Sequence, residues 1–192
     1  MTLMDDLFAT LYSFCGAMKQ PVEPHVAEAF NHFVRSFAWL CPSFAHAEED
    51  WERPVCLPHE ECPFSSVATI HQFLMPDNFD GDDLAHKYLT KGVSKEEWGR
   101  RLWRLLHSSA PYMTAQQLAS VLHACSILLP CPQCRDHLGQ MMRVYQPQPN
   151  CCTVQYLSDL HNMVNVRLGK PVVGNMTPLA QQVCHFLNKK TA

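Results

Sequence analysis

Apolar residues recur along this chain at three- and four-residue intervals, the spacing of one face of an α-helix. Leu7, Leu11, Tyr12, Phe14 and Cys15 make one such face, which predicts a helix from Asp5 to Met18 with Asp5 or Asp6 as cap. Pro21 and Pro24 interrupt it. Val26, Ala29, Phe30, Phe33, Val34, Phe37 and Trp39 then make a broad stripe over a second helix, His25 to Leu40, stopped by Cys41-Pro42. The stretch 48–63 is acidic, contains proline and reads as loop. Ser65 or Ser66 can cap a helix to Leu74. Asp80-Gly81 marks a turn before a short helix, Asp82 to Thr90.

The pattern sharpens after Gly92. Ser94-Lys95-Glu96-Glu97 has the form of a capping box, and the helix it opens carries Trp98, Trp103, Leu106 and His107. Thr114 caps the next, which runs through Leu129. Pro130 and Pro132 end that segment and favour a new helix start. Proline suits a first turn and not a helix interior. A loop at Pro147 to Pro149 leads to the vicinal pair Cys151-Cys152. A helix from Thr153 to Leu168 follows, with Gly169 as its stop and Pro171 just beyond. The tail predicts a short helix from Thr177.

These elements predict an all-α fold. The 192 residues suit one large domain or two small ones. No apolar run reaches the roughly 18 residues of a membrane span. The formal charge of −3 offers nothing to nucleic acid. Asp5 and Asp6 stand where a signal peptide carries positive charge, so no secretory signal is expected. Ten cysteines then point to redox or metal chemistry rather than to a secreted disulfide scaffold.

The two halves also resemble each other. At a constant offset of 90, Cys41-Pro42 meets Cys131-Pro132, Arg53 meets Arg143, Cys62 meets Cys152 and His71 meets His161. Upstream, Leu11-Tyr12-Ser13 aligns with Leu106-His107-Ser108. The expectation is a duplication, with residues 1–92 a degenerate copy of residues 93–192. Phe44 stands where the second copy has Cys134, so the first copy lacks the dithiol.

Cys131-Pro132-Gln133-Cys134 is the only Cys-x-x-Cys. At a helix N-terminus the dipole favours a thiolate. Two thiols at this spacing form a redox disulfide or supply two zinc ligands. The zinc reading adds His137 and one of Cys151, Cys152 or a histidine, but lacks a second Cys-x-x-Cys. A thioredoxin-like fold lacks its strand–helix–strand surroundings. A helical scaffold without chemistry is the third alternative.

Three motifs bear on the choice. They are Trp98-Gly99-x3-Trp103-x2-Leu106-His107, then Cys131-Pro132-Gln133-Cys134-x2-His137, then His161-Asn162-x-Val164-Asn165-x2-Leu168-Gly169-Lys170-Pro171. In order and spacing they resemble the Erv/ALR family of FAD-dependent sulfhydryl oxidases, over roughly residues 94–176. The resemblance implies a four-helix bundle with a short fifth helix, and FAD beside the Cys-x-x-Cys. Trp103, His107 and His161 would wall the flavin. His137, Asn162 and Asn165 would hydrogen-bond it, and Lys170 with Arg100 or Arg167 would meet its pyrophosphate. Cys134 would lie next to the flavin and Cys131 would meet protein dithiol substrates. Oxygen would be the acceptor and hydrogen peroxide the product. Cys56 and Cys62 are candidates for a mobile shuttle pair.

Two departures stand out. The family's structural disulfide is replaced by Ser158 and Asn175, a loss on the order of 3 kcal/mol for a loop of that size. A tail tryptophan near the adenine is also missing around Gln181. Size and tandem organisation look most like the viral, baculovirus-type members, which would place the protein in an infected cell; the mitochondrial intermembrane space is the alternative. The family's bundles pair as homodimers. Here the aromatic-rich helix of the first copy would fill that place as an intramolecular pseudo-dimer, with further self-association through another face.

Overall fold

The structure, a computed structural model, describes residues 2–18, 22–40, Val67 and 93–189. These form seven α-helices: α1 (Leu3–Ala17), α2 (Pro24–Ser36), α3 (Lys95–Ser109), α4 (Ala115–Leu128), α5 (Pro132–Val144), α6 (Thr153–Arg167) and α7 (Pro178–Lys189). Short 3-10 turns follow α2 at Ala38–Leu40 and α3 at Ala110–Tyr112. No strand occurs among the described residues. The all-α expectation therefore holds. The elements expected between Cys41 and Thr90, the shuttle candidates Cys56 and Cys62, and every identity of the repeat between residues 41 and 71 lie outside the described residues.

Helix starts follow local chemistry. Thr114 Oγ1 accepts from Gln117 N at 3.2 Å while the Gln117 side chain accepts from Thr114 N, a complete capping box. Ser94 Oγ accepts from Glu97 N at 3.2 Å. Pro24 and Pro132 occupy first turns, where their missing N–H removes no intrahelical bond. At α1 the expected cap is corrected. Thr2 is the cap, its hydroxyl accepts from Asp5 N, and Asp5 bonds back to Thr2 N. This starts the helix two residues early and carries Asp6 inside, where it is fully buried.

The second correction concerns α2. Its α-helical part stops at Ser36, and the 3-10 turn swings Trp39 away from the aromatic stripe. Trp39 is 45% exposed and packs at a tilt of 47° against the exposed Tyr112, ring centroids 5.3 Å apart. Phe30, Phe33 and Phe37 stay buried, with Phe33 edge-on to Phe14 at 5.1 Å.

One continuous apolar core links both ends of the chain. Helix α1 packs along α3, α2 along α4, α4 along α5, α3 against α6, and α6 against α7. Every residue of α1 from Asp6 to Cys15 is buried. A helix buried all round needs its polar groups satisfied within. Thr10 and Ser13 hydroxyls accordingly donate to the carbonyls of Asp6 and Ala9, both at 2.7 Å. The Asp6 carboxylate meets Arg101 at 3.3 Å and Arg104 at 3.1 Å, tying α1 to α3 by charge as well as by packing. Breaking such a pair leaves a charge uncompensated in the core, which is its main energetic weight.

Candidate functional site

The dithiol sits where the prolines put it. Cys131 is the cap of α5, Pro132 its first residue and Cys134 its third. Cys134 N donates to Cys131 Sγ at 3.3 Å, so the helix N-terminus faces the sulfur directly. Arg135 reaches back to donate to the Leu129 carbonyl at 2.7 Å, fixing the turn that precedes the motif. Both thiols are free. Burial works against a Cys131 thiolate, but hydrogen bonding from Cys134 and the charge of Lys95 outweigh it and bring the thiol below its ordinary value. Burial and the neighbouring Cys131 push Cys134 the other way, up to about 11. The pair thus loses its first proton mainly from Cys131.

Helix α6 supplies the next side of the site. Arg167 hydrogen-bonds His137 of α5 and lowers the cost of charge on Cys134. Trp103 and His161 stack in parallel, 3.9 Å between centroids and 5° between planes. His107 Nε2 and His161 Nδ1 lie 3.0 Å apart in a hydrogen bond. That bond needs one donor and one acceptor, so at least one ring is neutral. Burial, the facing His107 and Lys170 pull His161 down to about 4, and burial lowers His107 as well. The cluster is therefore uncharged at neutral pH, with His107 tilted by 37° to His161. All three rings are half-buried.

Asn162, expected to hydrogen-bond the flavin, has its side-chain amide bonded to the backbone. It is 2% exposed, and its amide donates to the Val173 carbonyl and accepts from Val173 N, both at 2.9 Å. It clamps the loop after α6, while Asn165, half-buried, lies one turn on beside the site. Gly169, at φ +65°, completes a Schellman stop: Lys170 N donates to Asn165 O and Gly169 N to Val166 O. Lys170 and Arg100 are exposed. Arg100 stands one turn before Trp103 on α3, on the same face.

Sequence reasoning missed Asp159. It is fully buried, and its carboxylate accepts from Tyr145 Oη at 2.9 Å, Gln155 Nε2 at 3.1 Å, Thr177 N at 3.0 Å and Thr177 Oγ1 at 2.6 Å. Thr177 Oγ1 in turn accepts from Ala180 N as α7 begins. This network joins the two segments that carry Ser158 and Asn175. A lone aspartate on a helix carries no sequence signal that separates it from a solvated one. Only the start of the tail helix near Thr177 was legible.

Of the other described cysteines, Cys15, Cys125 and Cys184 are buried in the core. Cys151 lies by Tyr145 and Tyr156, at the end of α5 away from Cys131, a separation of about 20 Å along a helix of this length. No group of three or more metal-binding side chains converges among the described residues. No helix among them is long and apolar enough to cross a membrane.

The fold and site define a helical bundle that presents a dithiol at one helix start and a cluster of neutral aromatic rings between α3 and α6. The comparisons give that class its family. Residues 100–184 match the Erv1 / Alr family model. An FAD-linked sulfhydryl oxidase ERV1 from Oryza sativa subsp. japonica is 34% identical over 89 residues, covering 42% of this chain and 46% of that protein. An FAD-linked sulfhydryl oxidase ERV1 from Arabidopsis thaliana is 36% identical over 92 residues, covering 43% and 48%. The chain thus spans about half the length of the curated relatives it matches. No solved structure gives a significant match.

Proposed function

We propose that the domain of residues 93–192 holds FAD and oxidises dithiols of protein substrates to disulfides. The observation that carries this reading is the dithiol of α5 lying beside Arg167 and His137 in a bundle whose α3 and α6 bring Trp103, His107 and His161 together. The donor set fits the cofactor. Flat neutral rings suit an isoalloxazine or adenine, and Arg167, Lys170 and Arg100 suit a pyrophosphate. Asn165 and His137 are the hydrogen-bonding candidates, with Asn162 holding the loop that carries Lys170. The chemistry a bound FAD supplies is acceptance of two electrons from the dithiol and their delivery to oxygen as hydrogen peroxide.

The chain's own part is thiol exchange. A substrate thiolate attacks Cys131 of the oxidised pair, and the sulfur of Cys134 leaves as a thiolate beside Arg167. The second substrate thiolate then attacks the mixed disulfide. The substrate disulfide forms, the bond to Cys131 breaks, and two electrons stay on the pair. The test is spectroscopic and kinetic. Purified protein should absorb near about 450 nm and consume oxygen with a dithiol. Cys134→Ser should keep the colour and lose turnover. Undiminished oxygen uptake in that variant would overturn the assignment, and a colourless protein would overturn the cofactor.

The same reading takes residues 1–92 as the degenerate copy and as the bundle's internal partner. Its support is that α1 packs on α3 and α2 on α4, each on the helix with which the repeat pairs it. A two-fold relation places equivalent elements in contact in this way. Cys56 and Cys62 remain the proposed shuttle between substrate and Cys131, and an infected cell remains the proposed setting.

A further inference from the structure

Asp6 is a carboxylate inside an apolar interface. Every residue of α1 from Asp6 to Cys15 is buried, and the Thr10 and Ser13 hydroxyls turn back into α1 itself. A buried carboxylate is a poor way to add stability, because its desolvation offsets most of what its partners return. Buried charged groups are best attested as devices that fix register. Asp6 has the geometry of one. Its Oδ1 meets Arg101 Nη1 at 3.3 Å, and its Oδ2 meets Arg104 Nη2 at 3.1 Å. The two arginines stand three residues apart and so share one face of α3. Each carboxylate oxygen thus has its own cation, and the two cations lie about one turn apart along the neighbouring helix. Apolar packing tolerates small rotations of one helix against another. A carboxylate gripped at both oxygens resists them.

The same helix carries part of the candidate site. Trp103 directly precedes Arg104, and at about 100° per residue it falls with His107 on the next face round. There Trp103 stacks on His161 at 3.9 Å, and His107 bonds His161 at 3.0 Å. Side chains reach about 5–6 Å from a helix axis, so a rotation of about 10° carries their outer atoms about 1 Å. That is enough to open the bond between the two histidines. Asp6 lies outside the stretch 100–184 that matches the family model, and both arginines lie inside it.

We propose that Asp6 is a positioning residue of the site: by holding Arg101 and Arg104 it sets the rotation of α3, and so the meeting of Trp103 and His107 with His161. The N-terminal helix then aims one wall of the site through α3. The consequence for catalysis rests on the reading of that wall as part of the flavin site; the placement itself does not.

The test is the NMR signal of the His161 ring in the full chain as purified, assigned with His161→Asn. The indole stacked on that ring shields its protons, and burial beside His107 and Lys170 holds its titration midpoint at about 4. Asp6→Asn keeps the shape and removes the charge. It should reduce the shielding and move the midpoint from about 4 toward 6.5. Leu11→Ala removes buried packing from the same helix and leaves the ion pairs in place. It should lower the urea midpoint and keep both ring signals at their wild-type values. Should Asp6→Asn fail to fold, Arg104→Gln, at an exposed side chain, should move both signals the same way by less. Unmoved signals in folded Asp6→Asn, or in Arg104→Gln where Asp6→Asn does not fold, would overturn the proposal. So would an equal movement in Leu11→Ala. The ring signals exist with or without flavin, so a failure of the cofactor reading shows as a colourless protein and leaves this result standing.

Discussion

Removing the Asp159 carboxylate tests whether a polar knot holds α6 to the start of α7. Asp159→Ala deletes the acceptor of four hydrogen bonds and strands the Tyr145 hydroxyl and the Thr177 backbone N–H. A bond to a charged acceptor nets about 1.5–3 kcal/mol, but the four are not additive and the carboxylate's own desolvation offsets part of them. The expected loss is therefore about 3–5 kcal/mol, the usual cost of breaking a buried charged cluster. At roughly 2–4 °C per kcal/mol for a chain of this size, the unfolding midpoint should fall by about 10 °C. Asp159→Asn should cost less, about 1–2 kcal/mol. Its amide can face the two hydroxyls, which rotate to accept, while its oxygen keeps the Thr177 N–H. Urea denaturation measures both variants. Native-state hydrogen exchange should show the amides of α7 opening first in Asp159→Ala. A loss below about 1 kcal/mol, or α7 protection equal to wild type, would refute the knot.

Three further outcomes are expected. Asn162→Ala should cost about 1–3 kcal/mol, for two bonds to Val173 from a buried amide, and should speed proteolytic nicking between residues 169 and 177. His161 has its pKa depressed from 6.5 to about 4, so between those values the unfolded chain binds more protons than the folded one. Its stabilisation is complete above pH 6.5 and is lost as pH falls toward 4. After discounting for the ring's exposure, this loss is roughly 1–2 kcal/mol, seen as a pH slope in urea midpoints that His161→Asn should flatten. Changing Cys56 and Cys62 together to Ala should slow oxidation of a protein dithiol and spare that of a small one; equal effects on both would end the shuttle idea.

Where the chain punctuates its helices with caps and prolines, the sequence was readable. Thr114, Ser94, Pro132 and Gly169 each mark a boundary that the structure keeps, because each acts through its own backbone neighbours. The Cys-x-x-Cys at a helix start was legible for the same reason. Reading failed where a long-range partner decides the outcome. Asp6 looked like a cap and is instead the buried counter-ion of Arg101 and Arg104, residues some 95 positions away. Trp39 looked like core until a 3-10 turn redirected it. Asn162 resembled a ligand-facing amide, yet its partner is the backbone eleven residues on. Nothing in the local sequence of Asp159 says that it is buried and bonded to the Tyr145 hydroxyl.

The packing of α1 on α3 and of α2 on α4 makes the bundle's cover part of the same molecule as the half that carries the dithiol. A cover borrowed from a second copy is lost on dilution, by mass action. A tethered one is present at an effective concentration set by the chain and not by the solution, which for short flexible links reaches about the millimolar range. The folded fraction should therefore be the same at nanomolar and micromolar protein. The dithiol site would then be assembled in the first molecules synthesised, before enough had accumulated to find one another.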